Sequence, residues 1–380
     1  MLKRLASLLC AVAVSASAFF AFGCAASGYT VFSERAVFSD DILFSAKLMG
    51  GRASYAYDRM CDLLRDIDGQ VSLTVDSDLS KFNAAEANER VEVGKYCYEI
   101  YLAAREYYTL TDGAYNCAVA PLSRLWHVDA ASLDDVASSD GDVELPNEAT
   151  IEAVLPVCSP LNVEAEELDG RYYITKTVNG VELDFGGIAK GYAVDKCVEI
   201  LREYNISSAL LDISGNAYFY GDYVSNGKSG KWNVGVTSPR PRTPLVDRGY
   251  VCALELDGNA SAVTSGDYMR YYVVHGDGNV YIPHIIGRNG VPIGVCASDG
   301  KWINSDEYVI SATVIGQCSA MCDALSTAVC VLGMERGREL LQKVGCKGLI
   351  FTEKRYTIIE SVLYRPDYYD GYKAYALYEP

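Results

Sequence analysis

Residues 181–204 read VELDFGGIAKGYAVDKCVEILREY, and the fold turns on how that stretch is parsed. Val181, Leu183 and Phe185 alternate with Glu182 and Asp184, the two-residue period of a half-buried strand. Gly186 and Gly187 end that strand and permit backbone angles that a side chain would forbid. Val194, Cys197, Val198 and Leu201 then recur at i, i+3, i+4 and i+7, the apolar stripe of a helix. The junction holds Ala189, Lys190 and Gly191. A glycine turn that feeds a helix N-terminus and carries a lysine can hold phosphate, because amide N–H groups and a cation converge there. The spacing is neither G-x-G-x-x-G nor G-x-x-x-x-G-K-[ST], so no nucleotide-binding fold follows by motif. A ligand-free strand–turn–helix corner has the same pattern, and on these residues both readings stay open.

Around this stretch lie 380 residues, enough to bury a large core in one large or two modest domains. Half are hydrophobic and no low-complexity run occurs, so the chain is globular rather than disordered. A formal net charge of −17 argues against binding nucleic-acid backbones, which takes a basic face. It also means that a phosphate ligand needs a metal cation or a local lysine beside it. Residues 1–24 have the form of an export signal, with Lys3 and Arg4 as its charged start and residues 5–22 as an uncharged apolar run. The run ends at Ala21-Phe22-Gly23-Cys24, which resembles a bacterial lipoprotein box and makes Cys24 the candidate site of lipid attachment. Cleavage near Ala16-Ser17-Ala18, or an uncleaved anchor, is the alternative. Eleven further cysteines follow Cys24, odd in number and without a C-x-x-C pair, so neither a zinc site nor a disulfide framework is suggested. An exported chain with that many unpaired thiols fits a source living without oxygen.

Elsewhere, residues 53–57 alternate as an early strand would, and Met60, Leu63, Leu64 and Ile67 mark a helix face after them. Residues 71–83 read as a polar loop with apolar anchors, or a capped turn. A helix is expected over 94–110, an acidic solvated connection over 129–144, and a short helix opened by Pro146 and Asn147. Residues 209–216 form a buried strand running into a glycine turn, residues 232–236 and 263–268 supply further strands, and residues 281–287 follow a hairpin. His284, one of three histidines with His127 and His275, is either a hydrogen-bonded structural residue or a catalyst. The helix beginning near Ser319 carries Leu325, Ala328, Val329 and Leu332 on its apolar stripe and closes at Gly333. Asp323 and Thr327 are one turn apart, so their oxygens share a face. That hard-oxygen pair suits Mg²⁺, and a solvated polar face would look the same.

The order of these pieces resembles the FAD:protein FMN transferase family, exported lipoproteins once linked to thiamine biosynthesis. The resemblance spans roughly residues 45–360 and rests on Leu48-Met49-Gly50, residues 76–83 (DSDLSKFN), 113–122 (GAYNCAVAPL) and 183–195 (LDFGGIAKGYAVD). Ser214-Gly215-Asn216, residues 264–268 (TSGDY), His284-Ile285-Ile286 and residues 323–328 (DALSTA) complete the series. It implies an α+β fold with mixed sheets flanked by helices, a single flavin-transferase-like catalytic domain behind the export signal. The divisions would be a signal peptide over 1–23, a lipid-anchored linker over 24–37, the transferase domain over 38–363 and a Tyr-rich tail over 364–380.

The activity implied is transfer of the FMN moiety of FAD to a Thr or Ser hydroxyl of a partner protein, with release of AMP. Mg²⁺ would be held by a backbone carbonyl of the turn at Ala189 and by the side chains of Asp323 and Thr327. FAD would lie across Met49, Asn116, Cys117, Ala118, Gly186, Lys190, Tyr192, His284 and Ile285. Lys190 would add a second positive group to the metal's, and His284 would take the proton of the acceptor hydroxyl. The partners implied are exported flavin acceptors, such as FMN-binding-domain or electron-transfer proteins, met at the outer face of a bacterial cell membrane through the lipid on Cys24. Nucleic acid is not among them. The family usually follows His-Ile-Ile with Asp-Pro, where this chain has Gly287-Arg288. Asn116 stands where Asp is usual and Gly51 where Thr is, and Leu73-Thr74-Val75 replaces a segment with an aromatic. The same site would also serve hydrolysis of FAD to FMN and AMP, or storage of flavin without catalysis.

Overall fold

The computed structural model describes residues 31–38, 42–73, 76–129, 143–225, 228–240, 250–275, 279–305, 308–352, 356–359 and 363–364. The export signal, Cys24, most of the acidic connection and the tail beyond Tyr364 lie outside them. The architecture is α+β, as the resemblance implied. Its main sheet has eight strands, labelled in chain order β1 (Val31–Phe38), β2 (Ile42–Met49), β3 (Ser208–Ile213), β4 (Asn216–Tyr220), β5 (Ala260–Gly266), β6 (Val309–Gly316), β7 (Lys347–Thr352) and β8 (Tyr356–Ile359). Strands adjacent in this order are adjacent in the sheet, and every pair is antiparallel.

The meander carries two helical insertions. Between β2 and β3 lie α1 (Ala53–Val71), α2 (Asp78–Ala84), α3 (Lys95–Leu110), α4 (Ala120–Leu125), α5 (Glu148–Val154) and α6 (Ala189–Glu203); between β6 and β7 lie α7 (Ser319–Leu332) and α8 (Met334–Val344). Strand β6 is buried from Val309 to Ile315, so it must be covered on both faces. Val314 packs in the core that holds Ala324, Leu325 and Ala328 of α7. Its neighbour Ile315 points the other way, onto Trp232, Val236 and Leu254 of a small three-stranded sheet. A separate apolar cluster of Leu122, Trp126, Ile151, Tyr272 and Ile282 supports the hairpin of Tyr271–Val274 and Val280–Pro283, which carries His284 just past its end.

Several expectations change. Residues 53–57 open α1 rather than forming a strand, because Ala53, Ala56, Tyr57, Met60, Leu63 and Leu64 make one buried stripe at helical spacing. Residues 71–83 contain α2, started by a reciprocal box in which Ser77 and Ser80 each accept the other's backbone N–H, at 3.0 and 2.9 Å. Val31–Phe38, which takes in the last seven residues assigned to the linker and the first of the domain, pairs with β2 along its length.

The stretch 181–185 is the instructive case. Val181, Leu183 and Phe185 are buried as the alternation requires, yet these residues belong to no strand. The amide of Asn83 does the pairing instead: it accepts from Leu183 N–H at 2.8 Å and donates to Leu183 O at 2.9 Å. Asp184 N–H donates to Cys117 O at 2.7 Å. Period-two burial thus needs only an extended backbone with its polar groups satisfied, and a side chain can satisfy them.

Candidate active site

Helices α6 and α7 cross at their first turns, and Gly191 makes the crossing possible. A Cβ at Gly191 would stand 2.4 Å from Ser319 O and 2.8 Å from Ala320 Cα. Neither helix has a capping side chain at its own N-cap, where Ile188 and Cys318 stand. Each is capped by the other. Asp323 of α7 accepts Gly191 N–H at 3.0 Å. Asp195 of α6 accepts Ser319 N–H at 2.8 Å, Ala320 N–H at 2.9 Å and the Cys318 thiol at 3.3 Å. Helix N-termini carry partial positive charge and unpaired N–H groups, so a carboxylate is the fitting partner. Burial pushes both carboxyls above the ordinary Asp range; Lys190 and Gly191 N–H oppose this at Asp323, and the amides of Ala320 and Ser319 oppose it at Asp195. The anion at the N-terminus of α6 is therefore a protein carboxylate.

This has a consequence for the turn. The N–H of Gly191, third residue of α6, has no intrahelical acceptor, because Gly187 four residues back precedes the N-cap Ile188. It goes to Asp323 instead, and no bond to Gly187 O is present among the described residues. Gly187 lies beside Thr327: a Cβ there would be 3.4 Å from Thr327 Oγ1 and 3.2 Å from Tyr115 Cε2. Neither Gly186 nor Gly187 has a positive φ, so the glycines serve close approach rather than the special angles expected of them. Ala189 is the first residue of α6, with its carbonyl inside the helical ladder. The turn residue beside Thr327 with a carbonyl outside the helical ladder is Gly187, not the expected Ala189.

The remaining oxygens are Asp323 and Thr327. The hydrogen bond and ion pair of Asp323 both fall on Oδ2, from Gly191 N–H and from Lys190 Nζ at 3.7 Å. Ser265 Oγ bonds Ser326 Oγ at 2.7 Å and Thr327 Oγ1 at 3.2 Å, fixing the Thr327 hydroxyl. Lys190 Nζ also donates to Gly186 O at 2.5 Å. The described residues hold no group of three or more His, Cys, Asp or Glu able to bind a metal. One carboxylate with a hydroxyl and a carbonyl is a poor set for a transition metal. It fits Mg²⁺, which takes few protein ligands and keeps places for water and substrate phosphate.

His284 donates its backbone N–H to Arg270 O at 3.2 Å, and its Nδ1 lies 3.0 Å from the same oxygen. A carbonyl only accepts, so Nδ1 bears the proton and Nε2 is left as the acceptor. Desolvation first, then the positive charge of Arg270, push the imidazole down to about 3, and Lys190 acts in the same direction. His284 is neutral at neutral pH and within the field of Lys190.

Not every expected residue joins this group. Met49 ends β2 opposite Ser208, past the C-terminus of α6. The 15-residue helix, about 22 Å long, lies between it and Lys190. Tyr192 is two positions from Lys190, about 200° around the helix. Its hydroxyl donates to Glu99 of α3 and its ring meets Tyr96, so its side chain turns away from Asp323. Cys117 and Ala118 are fully buried, backbone included. The Asn116 amide donates to Cys158 O at 2.9 Å and accepts Ala118 N–H at 2.8 Å. Asn116 also lines a cavity of about 320 Å³ with Tyr108, Asp112, Ile286 and Arg288, next to buried Ile285. Arg288 pairs with Asp112 at 2.8 Å, and Gly287 N–H closes onto Val291 O at 2.8 Å, so the departure from Asp-Pro forms a complete turn.

Sequence reasoning gave no role to Asp195, Ser265, Asn83 or Tyr115. The sole local sign of Asp195 was a helix whose N-cap is Cys318, a residue outside the preferred capping set, which must find its cap elsewhere. The eleven cysteines after Cys24 are all free thiols.

A family model described as the ApbE family matches residues 41–350. The FAD:protein FMN transferase of Treponema pallidum is 30% identical over 292 residues, covering 74% of this chain and 72% of its own length. That of Klebsiella pneumoniae strain 342 is 26% identical over 328 residues, 84% of this chain and 91% of its own. Among solved structures, the ApbE protein of Thermotoga maritima superposes with a TM-score of 0.70 at 25% identity, over 87% of this chain and 97% of that one.

Proposed function

The chain belongs to the ApbE family, and on that premise we propose that it is a flavin transferase moving the FMN half of FAD onto a Thr or Ser hydroxyl of a partner protein. The observation that carries this reading is the meeting of Gly187, Lys190, Asp323 and Thr327 at the α6–α7 crossing, within the field of a neutral His284. Gly187 O, Asp323 and Thr327 would hold Mg²⁺, which supplies charge neutralisation on the pyrophosphate when bound. Lys190 adds a second cation from the protein side.

The acceptor oxygen attacks the FMN phosphorus while its proton passes to His284 Nε2. The bond from that phosphorus to the bridging oxygen breaks, and its electron pair leaves with AMP. The cavity of about 320 Å³ between Asn116 and Arg288 is where part of FAD would lie. The acceptors are exported flavin-carrying or electron-transfer proteins, and a lipid on Cys24 holds the enzyme at the outer face of the membrane.

The test is incubation of the full-length protein with FAD, Mg²⁺ and a flavin-acceptor domain. Flavin fluorescence on the denatured acceptor, with AMP release, supports transfer. AMP release without labelling means hydrolysis, and tight retention of intact FAD with neither means a storage protein.

A further inference from the structure

Tyr115 is 2% exposed, and its hydroxyl has no hydrogen-bond partner among the described residues. A buried hydroxyl without a partner is disfavoured, so such an atom calls for an explanation. The ring is held in place, because Tyr115 N–H donates to Thr111 Oγ1 at 3.0 Å and the side chain is packed into the main core. Its orientation relative to the site is set by Gly187. The Cβ position of Gly187 is 3.2 Å from Tyr115 Cε2 and 3.9 Å from Cδ2, so the Cε2–Cδ2 edge of the ring lies against the turn, with the hydroxyl one bond beyond the neighbouring Cζ. The same position lies 3.4 Å from Thr327 Oγ1. Tyr115 and Thr327 therefore flank Gly187, whose carbonyl accepts no hydrogen bond among the described residues.

We propose that the Tyr115 hydroxyl donates to an oxygen that arrives with the ligand, one held beside Mg²⁺ at Gly187, Asp323 and Thr327. That oxygen belongs to a water or to the flavin phosphate, and the experiment separates the two. The inference rests on the metal reading given above and extends it to a residue outside the ligand set. Tyr115 acts by positioning that oxygen; it neither attacks nor leaves.

Tyr115→Phe keeps the ring and deletes only the hydroxyl. Two readings on the full-length protein test it: the thermal midpoint in EDTA, and affinity for Mg²⁺ by calorimetry or Mn²⁺ by electron paramagnetic resonance, without and with FAD. The expected result is a midpoint unchanged or raised, because an unpaired hydroxyl is gone, with metal affinity about tenfold weaker. Weakening with metal alone assigns the oxygen to water; weakening only with FAD assigns it to phosphate. Unchanged affinity in both conditions overturns the proposal, as does a lowered midpoint with unchanged affinity, which would mean a structural partner for the hydroxyl. Asp323→Ala is measured beside it. If Asp323→Ala leaves metal binding intact, the metal reading itself fails; if Asp323→Ala abolishes binding and Tyr115→Phe does not weaken it, only the Tyr115 inference fails.

Discussion

Asp195 on α6 accepts the first two N–H groups of α7, and Asp323 on α7 accepts the N–H of Gly191 in the first turn of α6. The two carboxylates lock the helices together by exchanging caps. The exchange also sets up the chemistry. It places a buried carboxylate beside Thr327, and with Gly191 N–H bound to Asp323, Gly187 O has no donor among the described residues. A pair of local structural needs, one at each helix start, thereby produces three oxygens at one place.

Removing the cap on α7 should therefore disturb the metal without touching it. Asp195→Ala is expected to lower stability by about 1–2 kcal/mol, the usual loss for a deleted cap, and to weaken Mg²⁺ binding by letting α7 shift. Asp195→Asn, which keeps an acceptor for one of the two amides, should recover part of both. Thermal midpoints and Mg²⁺ titrations of the two variants check this; equal Mg²⁺ affinity in Asp195→Ala and wild type would contradict it.

Gly191→Ala tests the crossing itself. Its Cβ would meet the backbone at Ser319, 2.4 Å from the carbonyl oxygen, where no side chain can rotate away. Overpacking of this kind costs about 1–3 kcal/mol, and the forced separation should break the Gly191–Asp323 bond. Gly230→Ala, where a Cβ meets nothing within 4 Å, is the control. Circular-dichroism melts and FAD turnover of both proteins give the comparison, with losses expected only at Gly191.

The pH dependence follows from opposite shifts. Burial raises Asp323 above its ordinary 3.8, so its charged form, and with it Mg²⁺ affinity, is lost as pH falls through that raised value. His284 is neutral down to about 3 and adds no inflection of its own above that value. The acid limb of kcat/KM should thus track Mg²⁺ affinity and shift to lower pH as Mg²⁺ is raised. An inflection near 6.5 that ignores Mg²⁺ and vanishes in His284→Gln would show that the histidine titrates normally.

His284→Ala should lower turnover by about 10²- to 10⁴-fold, the range for loss of a general base, and leave FAD affinity near that of wild type. Stopped-flow turnover and equilibrium FAD binding separate the two quantities. A collapse of affinity would make His284 a binding residue.

What the sequence disclosed and withheld divides along physical lines. Periodic signals were legible: the α6 and α7 stripes, the Asp323–Thr327 face and the buried alternation at Val181, Leu183 and Phe185 all follow from repeat distance alone. Relations across the chain were not. Asn83 pairs with Leu183 at a separation of 100 positions, and Asp195 with Ser319 at 124. Met49 stands beside Ser208, past the end of α6, and Lys190 at its start, a separation that the short motif at 48–50 does not disclose. Ala189, expected to give the turn carbonyl, opens the α6 ladder, whereas Gly187, before the N-cap, is the turn residue beside Thr327, a distinction the motif alone does not draw.

The most direct measurement is flavin labelling of an acceptor domain as a function of free Mg²⁺, for wild type and Asp323→Ala. Labelling that is absent in EDTA, rises to saturation with Mg²⁺ in wild type and stays absent in Asp323→Ala is the expected result. Labelling that persists in EDTA, or that keeps its Mg²⁺ dependence without Asp323, would contradict a metal-assisted transfer at this site.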